Sequence, residues 1–182
     1  MIATLPRCPA LCLVVLLAAC SSGEDAAEET AQAGPAPTMT SNPVMTAAPD
    51  GSPITPGTWE IGEDARNAHA RFGPPGSEPV LAMECDVASQ RLTLTRAGDA
   101  GAQAGGEQTY ILEASGMKAS LDMAPATSGL PMLEAEINRA MPIFQAFEPV
   151  DSVITVTGPD GDVLRVQGAP GISRVIEACS RT

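Results

Sequence analysis

The chain has 182 residues and carries 10 Lys and Arg against 22 Asp and Glu, a formal net charge of −12. That balance argues against nucleic acid as a partner, because phosphates reward a basic face. With a single histidine, His69, the chain holds one imidazole to serve as a catalytic base or a metal ligand.

The first twenty residues have the parts of a secretory signal: one positive charge at Arg7, an apolar run from Ala10 to Leu17, and small residues before Cys20. A membrane-spanning helix needs roughly 20 apolar residues, and this run is far shorter. The segment Leu17, Ala18, Ala19, Cys20 resembles the lipobox of bacterial lipoproteins. The resemblance implies removal of residues 1–19, a diacylglyceryl group on the Cys20 thiol, and acylation of the new amino terminus. Several acyl chains hold a protein to a bilayer stably, where one does so only marginally. Ser21, standing where an aspartate would retain the protein, implies by Gram-negative sorting habit the outer membrane, with the domain facing the periplasm. The competing reading is an ordinary secretory signal with an unrelated cysteine nearby.

From Ser21 to Pro56 the chain is Ala, Pro, Thr, Ser and Gly with a few acids, among them Glu24, Asp25, Glu28 and Glu29, and it has no aromatic residue. Such a stretch is expected to be a disordered tether over 20–56. At Gly/Ser-like scaling its root-mean-square span is about 33 Å. Its acids keep it solvated and away from anionic lipid.

All five aromatic residues, Trp59, Phe72, Tyr110, Phe144 and Phe147, follow the tether. One domain over 57–182 is expected, large enough to fold alone. It carries nine basic and seventeen acidic residues, a net charge near −8.

Strand-like alternation or branching marks Thr58 to Ile61, Ala68 to Phe72, Pro79 to Cys85 and Arg91 to Arg96, with Leu92 and Leu94 on one face. Tyr110 to Ala114 and Lys118 to Met123 form a further pair turning at Ser115 and Gly116. Ser152 to Thr157 and Val163 to Val166 flank Gly158, Pro159, Asp160, Gly161, a strong hairpin signal. The glycine-rich loop Ala97 to Gly106 has strands on both sides and no phosphate-binding lysine, so it reads as a hairpin tip. Leu133, Ile137 and Met141 sit at helical spacing between Pro131 and Pro142, which predicts a short helix over Leu130 to Ala140. A second is predicted after Pro170, where Ile172, Val175, Ile176 and Cys179 share a face. The fold class expected is α+β: a mostly antiparallel sheet or partly open barrel with one or two short helices.

With Cys8 and Cys12 in the signal and Cys20 consumed by lipid, Cys85 and Cys179 remain. Export predicts a disulfide between them, Cys179 pointing inward from its helix toward a strand cysteine. Two buried thiols or a metal pair are the alternatives, and one histidine with two distant cysteines makes a poor metal set.

Catalytic patterns are scarce. His69 alternates with Ala68 and Ala70, which places it on the outer face of a strand, and no nucleophile elbow or His-Glu-x-x-His motif is present. Glu84 with Asp86, and Glu134 with Glu136, are paired acids of the type glycosidases use, yet neither pair has an aromatic neighbour for sugar stacking. Turn chemistry accounts for Asp160 and Asp162 without calcium, and core packing accounts for Met83, Met117, Met123, Met132 and Met141 without copper. No catalytic residue, metal ligand or cofactor is therefore assigned.

Two further resemblances concern the domain. Phe72, Gly73, Pro74, Pro75, Gly76, then Glu84, Cys85, Asp86, then Arg174, Val175, Ile176, Glu177, Ala178, Cys179 are similar to a family of uncharacterised small exported proteins of Gram-negative bacteria. That family places two cysteines likewise. Ala114, Ser115, Gly116, Met117, Lys118 resembles the Ser-Gly loop of membrane-bound inhibitors of c-type lysozyme, which implies an inhibitor loop at Ser115, Gly116 and Lys118. Here Ala119 replaces the usual aromatic, and the second lysine motif is absent because Lys118 is the only lysine. The function expected is that of a non-enzymatic envelope lipoprotein, membrane-held by its lipid, that binds a periplasmic protein or serves structurally. Lysozyme inhibition and small-ligand carriage are the alternatives.

Overall fold

Alternation of buried and exposed side chains along successive strands builds a sheet with one apolar face. The computed structural model describes residues 44–98, 106–127 and 131–181. The chain divides into two units, Met1–Met39 and Thr40–Thr182, and everything described belongs to the second. The lipobox, the tether to Pro43 and most of the glycine-rich loop lie outside the described residues.

In chain order the strands are β1 (Thr58–Glu63), β2 (Asn67–Gly73), β3 (Leu81–Asp86), β4 (Arg91–Ala97), β5 (Gln108–Ala114), β6 (Met117–Pro125), β7 (Met132–Glu136), β8 (Val153–Thr157) and β9 (Val163–Gln167). All pairings among the described residues are antiparallel, in the order β1-β2-β3-β4-β7-β6-β5-β8-β9. The sheet curls into a half-barrel. Ala68, Ala70 and Phe72 of β2 face its interior with Met83 and Cys85 of β3, Leu92 and Leu94 of β4, Leu112 of β5, and Ile154 and Val156 of β8.

Two short helices cover this concave face. A 3-10 helix, Pro142–Phe147, inserts Ile143, Phe144 and Phe147, the two rings meeting edge to face at 5.4 Å. The helix α1 (Ser173–Ala178) buries Val175 and Ala178, flanked by buried Ile172 and Cys179. Glu148 positions α1: its Oε1 accepts the Gly171 N–H at 2.8 Å and its Oε2 accepts the Ser173 N–H at 2.9 Å. Cys179 forms a disulfide with Cys85 across 94 residues, with Cα atoms 5.6 Å apart.

Two sequence expectations are corrected. The helix expected over Leu130 to Ala140 is instead strand β7, followed by the 3-10 helix. Leu133, Ala135 and Ile137 are buried at a period of two, and Leu94 of β4 pairs with Ala135. Residues 133, 137 and 141 satisfy a helical spacing by coincidence, and the unpaired edge of β4 outweighs it. Of the stretch expected to be a disordered tether as far as Pro56, the described part is folded. Residues 46–54 form a small turn with a bridge between Ala47 and Pro53 and Ile54 buried, and the Thr55 N–H donates to Arg165 O of β9 at 2.8 Å. One buried isoleucine and the backbone bonds are enough to dock a segment whose composition alone could not form a core.

Because the disulfide ties the covering helix to the sheet, reduction or the Cys85→Ala, Cys179→Ala pair should lower stability by about 2 to 5 kcal/mol, given a loop near 100 residues. Urea unfolding of oxidised and reduced protein checks this, and equal midpoints would contradict it.

Candidate functional site

The hairpin tip Ser115–Gly116 follows directly from turn geometry. Ser115 and Gly116 have φ of 47° and 78°. Two consecutive positive φ values make a type I′ turn, the two-residue connection whose twist matches the strands. Lys118 sits just beyond it on β6 with its side chain 70% exposed, its ammonium 2.5 Å from Glu113 Oε1 on β5. Of the proposed inhibitor loop, the structure therefore brings Ser115, Gly116 and Lys118 to one exposed corner, with the lysine already paired.

The paired acids are explained individually. Glu84 Oε1 accepts Nε and Nη2 of Arg71 at 2.9 and 2.7 Å across the β2–β3 pair. Asp86 accepts the Ser89 N–H at 2.9 Å in the turn to β4, and that backbone bond, with the Ser89 hydroxyl, holds its carboxyl below the usual value of 3.8. Asp64 does the same for the β1–β2 turn, where the N–H groups of Arg66 and Asn67 lower it. Glu134 and Glu136 lie two apart on β7, alternating with buried Leu133 and Ala135, and so share its outward face. His69 lies opposite Gly62 in the β1–β2 register, and a Cβ at Gly62 would come within 2.6 Å of its ring. Among the described residues, no group of three or more His, Cys, Asp or Glu is placed to hold a metal.

Sequence reasoning missed a buried cation. Arg96 follows Leu92 and Leu94 on the inward parity of β4, so alternation alone would have found it. It is 7% exposed. Its Nη2 lies 2.5 Å from Asp162 Oδ2 at the end of the β8–β9 turn, and its guanidinium stands 5.1 Å above the Tyr110 ring. Its Nε and Nη1 are buried with no hydrogen-bond partner. Gly158 leaves room for this cluster, since a Cβ there would overlap Asp162 Oδ1 and lie 2.8 Å from Tyr110 Cε1. The ring face and one carboxylate offset part of the guanidinium's desolvation.

A surface groove of about 600 Å³ is lined by Gln90, Leu92, Glu136, Ile137, Asn138, Arg139 and Ala140. It follows the chain from β7 to the 3-10 helix. Arg139 Nη1 donates to Cys179 O and Gln90 Nε2 donates to Arg181 O, so the C-terminal segment forms part of its surroundings. Several residues of the exported-protein resemblance serve the architecture. Phe72 is core, Gly73 to Gly76 begin the connection to β3, and Cys85 and Cys179 are the disulfide that binds α1 to β3.

The chain matches no protein-family model, no curated protein and no solved structure.

Replacing a buried, incompletely bonded guanidinium by an apolar chain of similar length is neutral or stabilising. Arg96→Met should therefore leave stability unchanged or raise it by up to about 2 kcal/mol, because Asp162 can return to water. Gly158→Ala should cost about 1 to 3 kcal/mol through overpacking. Chemical denaturation of both variants checks the contrast, and a large loss in Arg96→Met would show that the cation is a net contributor.

Proposed function

We propose that this is a lipid-anchored, non-enzymatic protein of the cell envelope, held through Cys20 to the outer membrane on its periplasmic side, whose folded domain docks another protein. The observation that carries the reading is the filled interior. Phe144, Phe147, Ile172 and Val175 occupy the concave side of the sheet and are at most 1% exposed. The space a carrier would give to a ligand is taken by side chains, which favours recognition on the outer surface. The lipobox-like run Leu17, Ala18, Ala19, Cys20 supports lipid on Cys20 as the attachment.

Labelled palmitate and envelope fractionation test the anchor. Wild-type chain should take up label and sediment with membranes, and Cys20→Ala should do neither; label on that variant overturns the anchor. Photo-crosslinking in intact cells tests docking. A discrete crosslinked species is expected, and recovery of uncrosslinked monomer alone overturns it.

The exposed type I′ tip favours one second reading, that the corner at Ser115, Gly116 and Lys118 enters the cleft of a c-type lysozyme. Full inhibition at roughly micromolar chain supports it, and undiminished lysozyme activity there removes it.

A further inference from the structure

The sheet's first strand has an open edge, and the hydrogen-bond parity shows which groups line it. The Asp64 N–H donates to Asn67 O, and the Val80 N–H donates to Phe72 O. Along β2, residues 67, 69 and 71 therefore turn their backbone groups toward β1, and 68, 70 and 72 toward β3. Opposite them in register, Glu60 pairs with Arg71 and Gly62 with His69. The N–H and C=O groups of Trp59, Ile61 and Glu63 consequently point away from the sheet, and among the described residues β1 has no second neighbouring strand.

One end of this edge is closed. The Trp59 indole N–H donates to Gln167 O of β9 at 2.6 Å. Beyond Trp59 the edge borders a cleft of about 200 Å³ lined by Ile61, Gly62, Glu63, Ala68, Arg174 and Val175. Arg174 of α1 is exposed, and among the described residues it forms no ion pair, whereas Arg71, Arg96, Lys118 and Arg181 each do. Glu63, the acid in the cleft, is engaged by Arg181.

We propose that an extended peptide segment adds as a strand to β1, bonding the outward backbone groups of Ile61 and Glu63 and placing an acidic side chain against Arg174. This deepens the protein-docking reading and rests on it. Strand addition takes its affinity from main-chain bonds and its selectivity from side-chain contacts at alternate positions. A free guanidinium beside unpaired backbone groups on an otherwise acidic domain supplies both, and charge complementarity selects a carboxylate. Basic segments drawn by the net charge would meet Arg174 as a like charge.

Trp59, the only tryptophan of the chain, stands at the head of this edge and reports on it. The probe is the capped peptide acetyl-Thr-Val-Glu-Val-Thr-amide, titrated into the full chain while Trp59 emission is followed. Two companions carry Lys for Glu, or N-methyl groups on alternate amides. The acidic peptide should bind at or below roughly 1 mM, and Arg174→Glu, the Lys peptide and the N-methylated peptide should each weaken binding about tenfold or more. A version with a free carboxyl terminus in place of Glu tests whether the carboxylate comes from a chain end, and tighter binding by that version overturns the side-chain assignment. No binding near 1 mM, or binding indifferent to Arg174→Glu and to N-methylation, overturns the proposal. If Arg174→Glu still yields the same crosslinked species in cells, protein docking stands and its assignment to this edge fails.

Discussion

A sheet that curls without closing leaves an apolar hollow, and covering that hollow is the constraint on which this structure depends. The cover is two short helices, neither long enough to be stable alone. The 3-10 helix is held by its phenylalanines, and α1 is held at its start by Glu148 and just past its end by the Cys85–Cys179 bond. Fixing a six-residue helix at both ends lets Ile172, Val175 and Ala178 remain buried without a long amphipathic surface.

The hairpins were legible because their signals are local. Gly158 to Gly161 and Ser115–Gly116 turn where their chemistry says, and the alternating runs on either side pair in the expected register. Strand β7 was not legible, because five residues with three apolar neighbours at offsets of four read equally well as a helix. What decides is non-local: β4 needs a partner, and the Leu94–Ala135 pairing supplies one. The folded strap before β1 was hidden for a similar reason. Its composition is that of a linker, and its order comes from bonds to β9, more than a hundred residues away in sequence, such as the Met45 N–H to Gln167 Oε1.

The candidate surfaces were less visible than the fold. Alternation could have flagged Arg96 as an inward charge, but its partners are contributed by β5 and the β8–β9 turn, which sequence spacing does not bring together. The Arg174 cleft depends on how α1 folds back beside β1. By contrast, of the paired acids that a sequence scan singles out, Glu84 proves to be a cross-strand partner of Arg71 and Asp86 a turn cap accepting a backbone N–H. A charged pair close in sequence is weak evidence for chemistry when turn and strand geometry can each employ its members separately.

The two edges of the sheet are treated differently, and that difference bears on the strand addition proposed for β1. An open strand edge invites pairing with another chain, and proteins protect such edges by covering or charging them. The outward groups of β9 are met by the strap, through the Thr55 N–H on Arg165 O, and by the head of β1, through the Trp59 indole N–H on Gln167 O. The same strap leads the described chain into the fold, and its bonds are made to β9. The edge it holds is thus the covered one. On β1 the backbone of Ile61 and Glu63 lies beyond the strap's reach. A partner strand added there would neither compete with the entering chain nor disturb the bonds that hold it.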